Sequence, residues 1–164
     1  MNHLDWCTHI QYPEDSDILK RPSFDVNMRL FKVNREYQDL ILKCCAYIEK
    51  CAFSKKEGYK IPHGWSGANA GIPFNIISIL YDDDYITMIN PRITRWSGCS
   101  TKVKTNCGSF TLKTPILVSR DKEIDIEYIS PYGLDEIIRW TNIGPTPGYT
   151  IQHEIEHTLG ILII

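Results

Sequence analysis

Apolar positions along the chain follow two rhythms. Tyr37, Ile41, Cys44, Ile48 and Cys51 recur at steps of four, three, four and three. That spacing lays one apolar stripe along a helix. Asn34 stands where a side chain can cap this helix, and Glu36 and Asp39 lie in the first turns, where the helix dipole favours negative charge. The helix is expected to stop near residues 55–58. Beyond it the rhythm shortens. Residues 74–81 form an almost continuous apolar run, 85–90 a second run closed by Pro91, and 123–128 alternate residue by residue, the pattern of a strand with one buried face. Residues 109–119 hold strand-like pieces broken at Pro115, and 137–140 read as another strand. Residues 18–22 read as a short extended piece, because Pro22 disfavours helix just before it. Residues 92–106 read as irregular or hairpin structure. Residues 63–73 carry three glycines and read as a loop with unusual backbone angles or a close backbone approach. Thr146 can cap a last helix, with Pro147 in its first turn and Gly160 placed to end it. The expected class is α+β: mixed or antiparallel strands around a C-terminal helix, with a second helix near the N-terminus.

Length and charge narrow the partners. A chain of 164 residues suits one domain, here 17–164, preceded by a polar arm at 1–16 with the acidic turn Pro13-Glu14-Asp15. A formal charge of -2 gives no reason to expect nucleic acid or an anionic membrane surface. No apolar run approaches the ~20 residues of a membrane helix. The first residues lack a basic segment followed by an apolar core, so no secretory or transit signal is expected. The expectation is a cytoplasmic monomer. Asp82, Asp83 and Asp84 follow a strand and read as a solvated turn.

The last helix carries the chemistry. It contains Gln152-His153-Glu154-Ile155-Glu156-His157. Histidines four apart share one helix face and can hold one metal ion, while Glu154 can reach water bound to it. A catalytic metal commonly takes three protein ligands and leaves a position for water. Only Thr158 to Ile164 follow, with no good ligand among them, so the third ligand is expected upstream. Six cysteines stand at 7, 44, 45, 51, 99 and 107. Without a secretory signal, thiols or metal ligation are favoured over disulfides. Cys44, Cys45 and Cys51 read as small buried apolar residues, and Cys7, between His3 and His9, as part of the arm. Cys99 and Cys107 remain as candidate ligands.

Three separated stretches resemble motifs of the peptide deformylases, in the family's order. The family's Q-H-E-x-D-H, with a glycine beyond it, is similar to Gln152–Gly160. Its G-L-x-x-x-Q-x-G-x-P is similar to Gly64–Pro73. Its E-G-C-L-S is similar to Thr105-Asn106-Cys107-Gly108-Ser109, between Ile89-Asn90-Pro91 and Val118-Ser119-Arg120. The resemblance runs from about Ile18 to the end. It implies a metal-dependent hydrolase that removes the formyl group from formyl-methionine at the termini of nascent chains, near the ribosome exit, and releases formate. It also implies a cysteine as third ligand, and spacing favours Cys107 over Cys99. Cys107, His153 and His157 would hold one divalent ion, Fe(II) in the cell, with Zn(II), Ni(II) or Co(II) able to substitute. Glu154 would be the general base. The Gly108 N–H and the Asn69 amide would hold the oxyanion. His63, Gly64, Asn106, Tyr149 and Thr150 would line the substrate site, and Arg120, Glu156 and Gln152 would support the ligands from behind.

The chain departs from these motifs. Asn69 replaces the family's glutamine, one carbon shorter. Thr105 replaces a glutamate that serves a partner arginine, which leaves Arg120 in need of another. Gly108 replaces a leucine, and Glu156 an aspartate. Such changes would also suit a phage-encoded member acting in its host. They motivate an alternative, a deformylase-like chain whose metal is structural and whose activity is lost or changed.

Overall fold

The computed structural model describes residues 16–53, 63–107, 115–133 and 136–162. In chain order the elements are α1 (Ser16–Leu19), α2 (Met28–Val33), α3 (Arg35–Phe53), β1 (Gly64–Ser66), a 3-10 turn (Ala68–Ala70), β2 (Ile76–Tyr81), β3 (Asp84–Trp96), β4 (Ser100–Thr105), β5 (Ile116–Asp121), β6 (Ile124–Ile129), β7 (Ile137–Ile143) and α4 (Pro145–Thr158). The expectations for the arm with Cys7, for the stop at 55–58 and for 109–114 lie outside the described residues.

The α+β class holds, with the strands antiparallel to their neighbours. Five strands form one sheet in the order β1-β2-β3-β6-β7, and β4 and β5 form a separate pair. The sheet lies between two helices. On one face α3 packs Ile41, Cys45, Ile48 and Cys51 against Trp65, Ile72, Ile76 and Ile89. On the other face α4 packs Ile151 and Ile155 against Ile77, Ile79, Met88, Ile124, Ile126 and Ile143. β2 is therefore covered on both faces, which explains its unbroken apolar run. β6 alternates buried and half-buried, as its sequence does. In α3 the expected stripe holds at Ile41, Ile48 and Cys51, which are buried; between them Cys45 is fully buried and Cys44 only half-buried. Burial raises both thiols.

Local chemistry sets the element ends. The Asn34 side chain accepts from the Tyr37 N–H (2.9 Å) and caps α3. Its backbone also closes α2, a helix without a long enough apolar stripe to be read in the sequence. Asp82 and Asp83 form the two-residue β2–β3 turn at φ 53 and 64, exposed to solvent.

Several expectations are corrected. Residues 18–22 are not extended, because α1 runs to Leu19; Pro22 constrains only the residue before it, and the helix has ended by then. Residues 63–73 are not all loop, since 64–66 form edge strand β1 against β2. Pro91 does not end its strand. β3 continues to Trp96 because the register against β6 shifts between Ile89 and Arg92, so the missing N–H falls in a bulge. Asn90, at φ 51, uses its side chain there to bond both backbone groups of Val26 (2.8 and 2.9 Å). Residues 92–106 are consequently mostly strand, and 137–140 extend to Ile143.

The ends of α4 are well defined. Thr146 has extended backbone angles and Pro147 opens the regular helix. At the other end Gly160, at φ 72, donates to the His157 carbonyl (3.0 Å), and Ile161 donates to that of Glu156 (2.9 Å). This is a Schellman cap. The Thr158 carbonyl accepts from the Ser23 N–H (2.7 Å), so the N-terminal segment clamps the helix end.

Candidate metal centre and active site

α4 places His153 and His157 one turn apart, with Nε2 atoms 3.2 Å from each other. Cys107 lies just past β4, and its Sγ is 3.2 Å from His157 Nε2. The three donor atoms lie within 4.8 Å of one another, and all three residues are buried. A tetrahedral site with ordinary zinc bond lengths has donor–donor edges of roughly 3.3 to 3.6 Å, and the two 3.2 Å spacings that meet at His157 suit one ion. The donor chemistry fits too. Burial, then the neighbouring His157 and Arg120, lowers His153 to about 3; burial, then Arg120, lowers His157 to about 4. Both rings are thus neutral near pH 7, as a metal requires. Cys99 is exposed in the turn between β3 and β4, where its N–H bonds the Ser97 hydroxyl, and the structure does not bring it to the histidines.

Cys107 reaches the helix because β5 is docked onto α4. Gln152 pairs both ends of its amide with the backbone of Asp121, at 2.9 Å each way. Arg120, also on β5 and buried, donates two parallel bonds to Glu156 at 2.6 and 2.7 Å. β4 pairs with β5 along its length and carries the chain to Cys107. Arg120 thus has its partner on the helix. Thr105 sits opposite Ile116, four residues along the strand from Thr101, the residue that pairs with Arg120. The longer side chain of Glu156 supplies the carboxylate.

Glu154 points the other way, toward β1. It is buried, and burial lifts its carboxyl to about 8 while a hydrogen bond from Ser66 opposes the rise. β1 comes unusually close. A Cβ on Gly64 would lie 2.6 Å from Thr150 Cγ2 and 2.8 Å from Glu154 Cγ, so only glycine fits there. Asn69 is buried in the 3-10 turn, and its Oδ1 accepts from the Ser66 N–H (3.2 Å).

The remaining expected residues are less convergent. Gly64 and Thr150 meet at Glu154, while Tyr149 is half-buried on α4 and Asn106 is exposed beside Cys107. His63 is exposed and lines a separate groove of about 410 Å³ with Leu80, Tyr81, Asp82, Asp83 and Thr146. Gly108 lies outside the described residues. Ser66 was missed. The motif leaves its position open, and the only signal was a hydroxyl three residues from Asn69 in an otherwise apolar, glycine-rich stretch.

Fold and site together define an α+β protein with a buried Cys-His-His candidate metal centre and a carboxylate beside it. The sequence profile of the polypeptide deformylase family matches residues 9–164, and the chain belongs to that family. No curated protein sequence matches it. Solved structures share the fold. A PDF from a Vibrio parahaemolyticus bacteriophage, in complex with actinonin, is 22% identical with a TM-score of 0.70, covering 95% of this chain and 100% of its own. A class I type b peptide deformylase from Acinetobacter baumannii is 22% identical with a TM-score of 0.71, covering 95% and 96%. A probable peptide deformylase from a Synechococcus phage is 22% identical with a TM-score of 0.69, covering 93% and 95%. No helix among the described residues is long and apolar enough to cross a membrane.

Proposed function

We propose that this protein is a metal-dependent peptide deformylase, which hydrolyses the N-formyl group of formyl-methionyl peptides to formate and a free amine. One observation carries the reading: in a chain of this family, Cys107, His153 and His157 converge to within 4.8 Å while Glu154 stands buried beside them. A structural metal needs no such carboxylate.

The three donors would hold one divalent ion. The mixed sulfur and nitrogen set suits Fe(II), the ion proposed for the cell, and equally Zn(II), Ni(II) or Co(II). When bound, the ion supplies positive charge that acidifies water and polarises a carbonyl. Glu154 takes the proton from the attacking water and passes it to the nitrogen of the leaving amine. In the metal-free protein burial keeps this carboxyl protonated near neutral pH, and the positive charge of a bound ion would lower it to where it can accept the proton. The Asn69 amide and the Gly108 N–H orient the formyl carbonyl and hold its developing negative charge. Gly64 lets the edge strand β1 approach Glu154, leaving its backbone beside the reacting group. Gln152, Arg120 and Glu156 keep the cysteine strand on the histidine helix. His63, Asn106, Tyr149 and Thr150 are proposed to contact the peptide. Formylated termini place the protein where bacterial-type translation runs, acting as a monomer on emerging chains.

The test is formate release from a formyl-Met peptide by protein purified anaerobically with iron, with bound metal counted. Glu154→Ala serves as control. Formate from the wild type, and at least a hundredfold less from the control, is expected. Stoichiometric metal without formate would favour the structural-metal alternative, and an undiminished control would refute the role of Glu154.

A further inference from the structure

Ser66 is the last residue of edge strand β1 and is fully buried, at 0% exposure. Its N–H and its hydroxyl both bond Asn69 Oδ1, and the Asn69 N–H returns a bond to Ser66 Oγ at 3.4 Å. An N–H can only donate, so the atom facing it must be the amide oxygen. The planar amide then has to carry its nitrogen on the opposite side. One buried residue therefore grips, through its N–H and its hydroxyl, the amide assigned to the reaction. Asparagine is one carbon shorter than the family's glutamine, so more of its placement depends on what grips it.

We propose that Ser66 is a positioning residue of this site, fixing the plane of the Asn69 amide so that its N–H₂ edge faces the formyl oxygen. The inference rests on the deformylase reading. The plainer role for the pair, a turn closing the end of β1, would affect stability but not couple Ser66 to Asn69 in turnover.

The experiment is a double-mutant cycle on the iron-loaded protein, measuring kcat and KM with a formyl-Met peptide. Ser66→Ala is expected to lower kcat about tenfold with KM within about twofold, the signature of a lost transition-state contact. In an Asn69→Ala background the same change is expected to cost less than about twofold, because the group it positions is gone. Ser66→Thr, which keeps the hydroxyl, is expected to recover most of the rate. Should Ser66→Ala fail to fold, Ser66→Cys preserves size while weakening the donor, and the same loss and the same coupling are expected. An activity-independent readout accompanies these. The Asn69 side-chain amide pair in a ¹⁵N–¹H spectrum, assigned by its loss in Asn69→Asp, is expected to be sharp in the wild type and broadened in Ser66→Ala. Equal loss in both backgrounds, an unchanged kcat, or an unaltered amide signal would overturn the proposal. A wild type that binds iron and releases no formate counts against the deformylase reading instead, and the amide signal then decides on Ser66 alone.

Discussion

Glu156→Gln tests how the centre is assembled. Arg120 is 5% exposed, and Glu156 is 28% exposed; they meet through two bonds of 2.6 and 2.7 Å. Breaking a buried ion pair by removing one partner costs about 3–5 kcal/mol, because a charge is left unpaired out of water. Partial exposure of Glu156 and the carbonyl oxygen that glutamine retains reduce this to about 2 kcal/mol. For a chain of this size each kcal/mol shifts Tm by about 2–4 °C, so a fall of about 4–8 °C is expected by circular dichroism. The helix also carries His157 on the next residue. Loosening β5 from α4 separates the cysteine from the histidines, and metal affinity in a chelator competition is expected to fall by about 10- to 100-fold. Arg120→Met combined with Glu156→Gln should be less damaging than the two changes summed. An unchanged Tm together with unchanged metal affinity would refute the view that this pair joins the two halves of the centre.

Other outcomes follow from the same geometry. Gly64→Ala forces a methyl into Thr150 and Glu154; at least a tenfold loss of kcat is expected with metal content unchanged, and loss of metal instead would show that β1 supports the ligands. Gly160→Ala meets the Lys20 carbonyl at 2.3 Å and strains a φ of +72, so destabilisation of about 2–3 kcal/mol is expected in urea melts, from the lost αL preference plus displacement of the N-terminal segment. The metal-free protein should have a stability maximum near pH 6.5. Its histidines titrate at about 3 and 4 when folded against 6.5 in the unfolded chain, and Glu154 at about 8 against 4.5. Between pH 4.5 and 6.5 the unfolded chain therefore binds up to two extra protons and the folded chain up to one, so stability rises with pH. From pH 6.5 to 8 only Glu154 differs, the folded chain holds the extra proton, and stability falls with pH. Each slope approaches about 1.4 kcal/mol per pH unit. Urea midpoints across this range check it, and a monotonic rise through pH 8 would contradict the buried, proton-holding state of Glu154.

The features legible in the sequence were those set by local periodicity and spacing. The α3 stripe, the alternation of β6 and the histidine pair on α4 each depend on residues within a few positions of one another. The two-sided burial of β2 could be seen only as an unbroken apolar run. What escaped depended on distant partners. Pro91 reads as a strand end until β6 is seen to shift register past it, and β1 reads as loop until β2 supplies its pairing. α2 is too short to show a stripe. The same division runs through the candidate site. His153, Glu154 and His157 follow from a helical repeat, whereas Cys107 needed an ordered set of motifs to separate it from Cys99. The Arg120–Glu156 pair spans 36 residues and joins two departures from the family pattern that looked independent. Ser66 carries no motif at all, and its role rests on which atoms fold against its hydroxyl.

The most direct test of the central claim is bound iron and formate release measured together on the wild type, Cys99→Ser and Cys107→Ser, all prepared anaerobically. One iron per chain with formate release is predicted for the wild type and Cys99→Ser, and loss of both for Cys107→Ser. Retention of iron and activity by Cys107→Ser, or their loss in Cys99→Ser, would contradict the assigned centre.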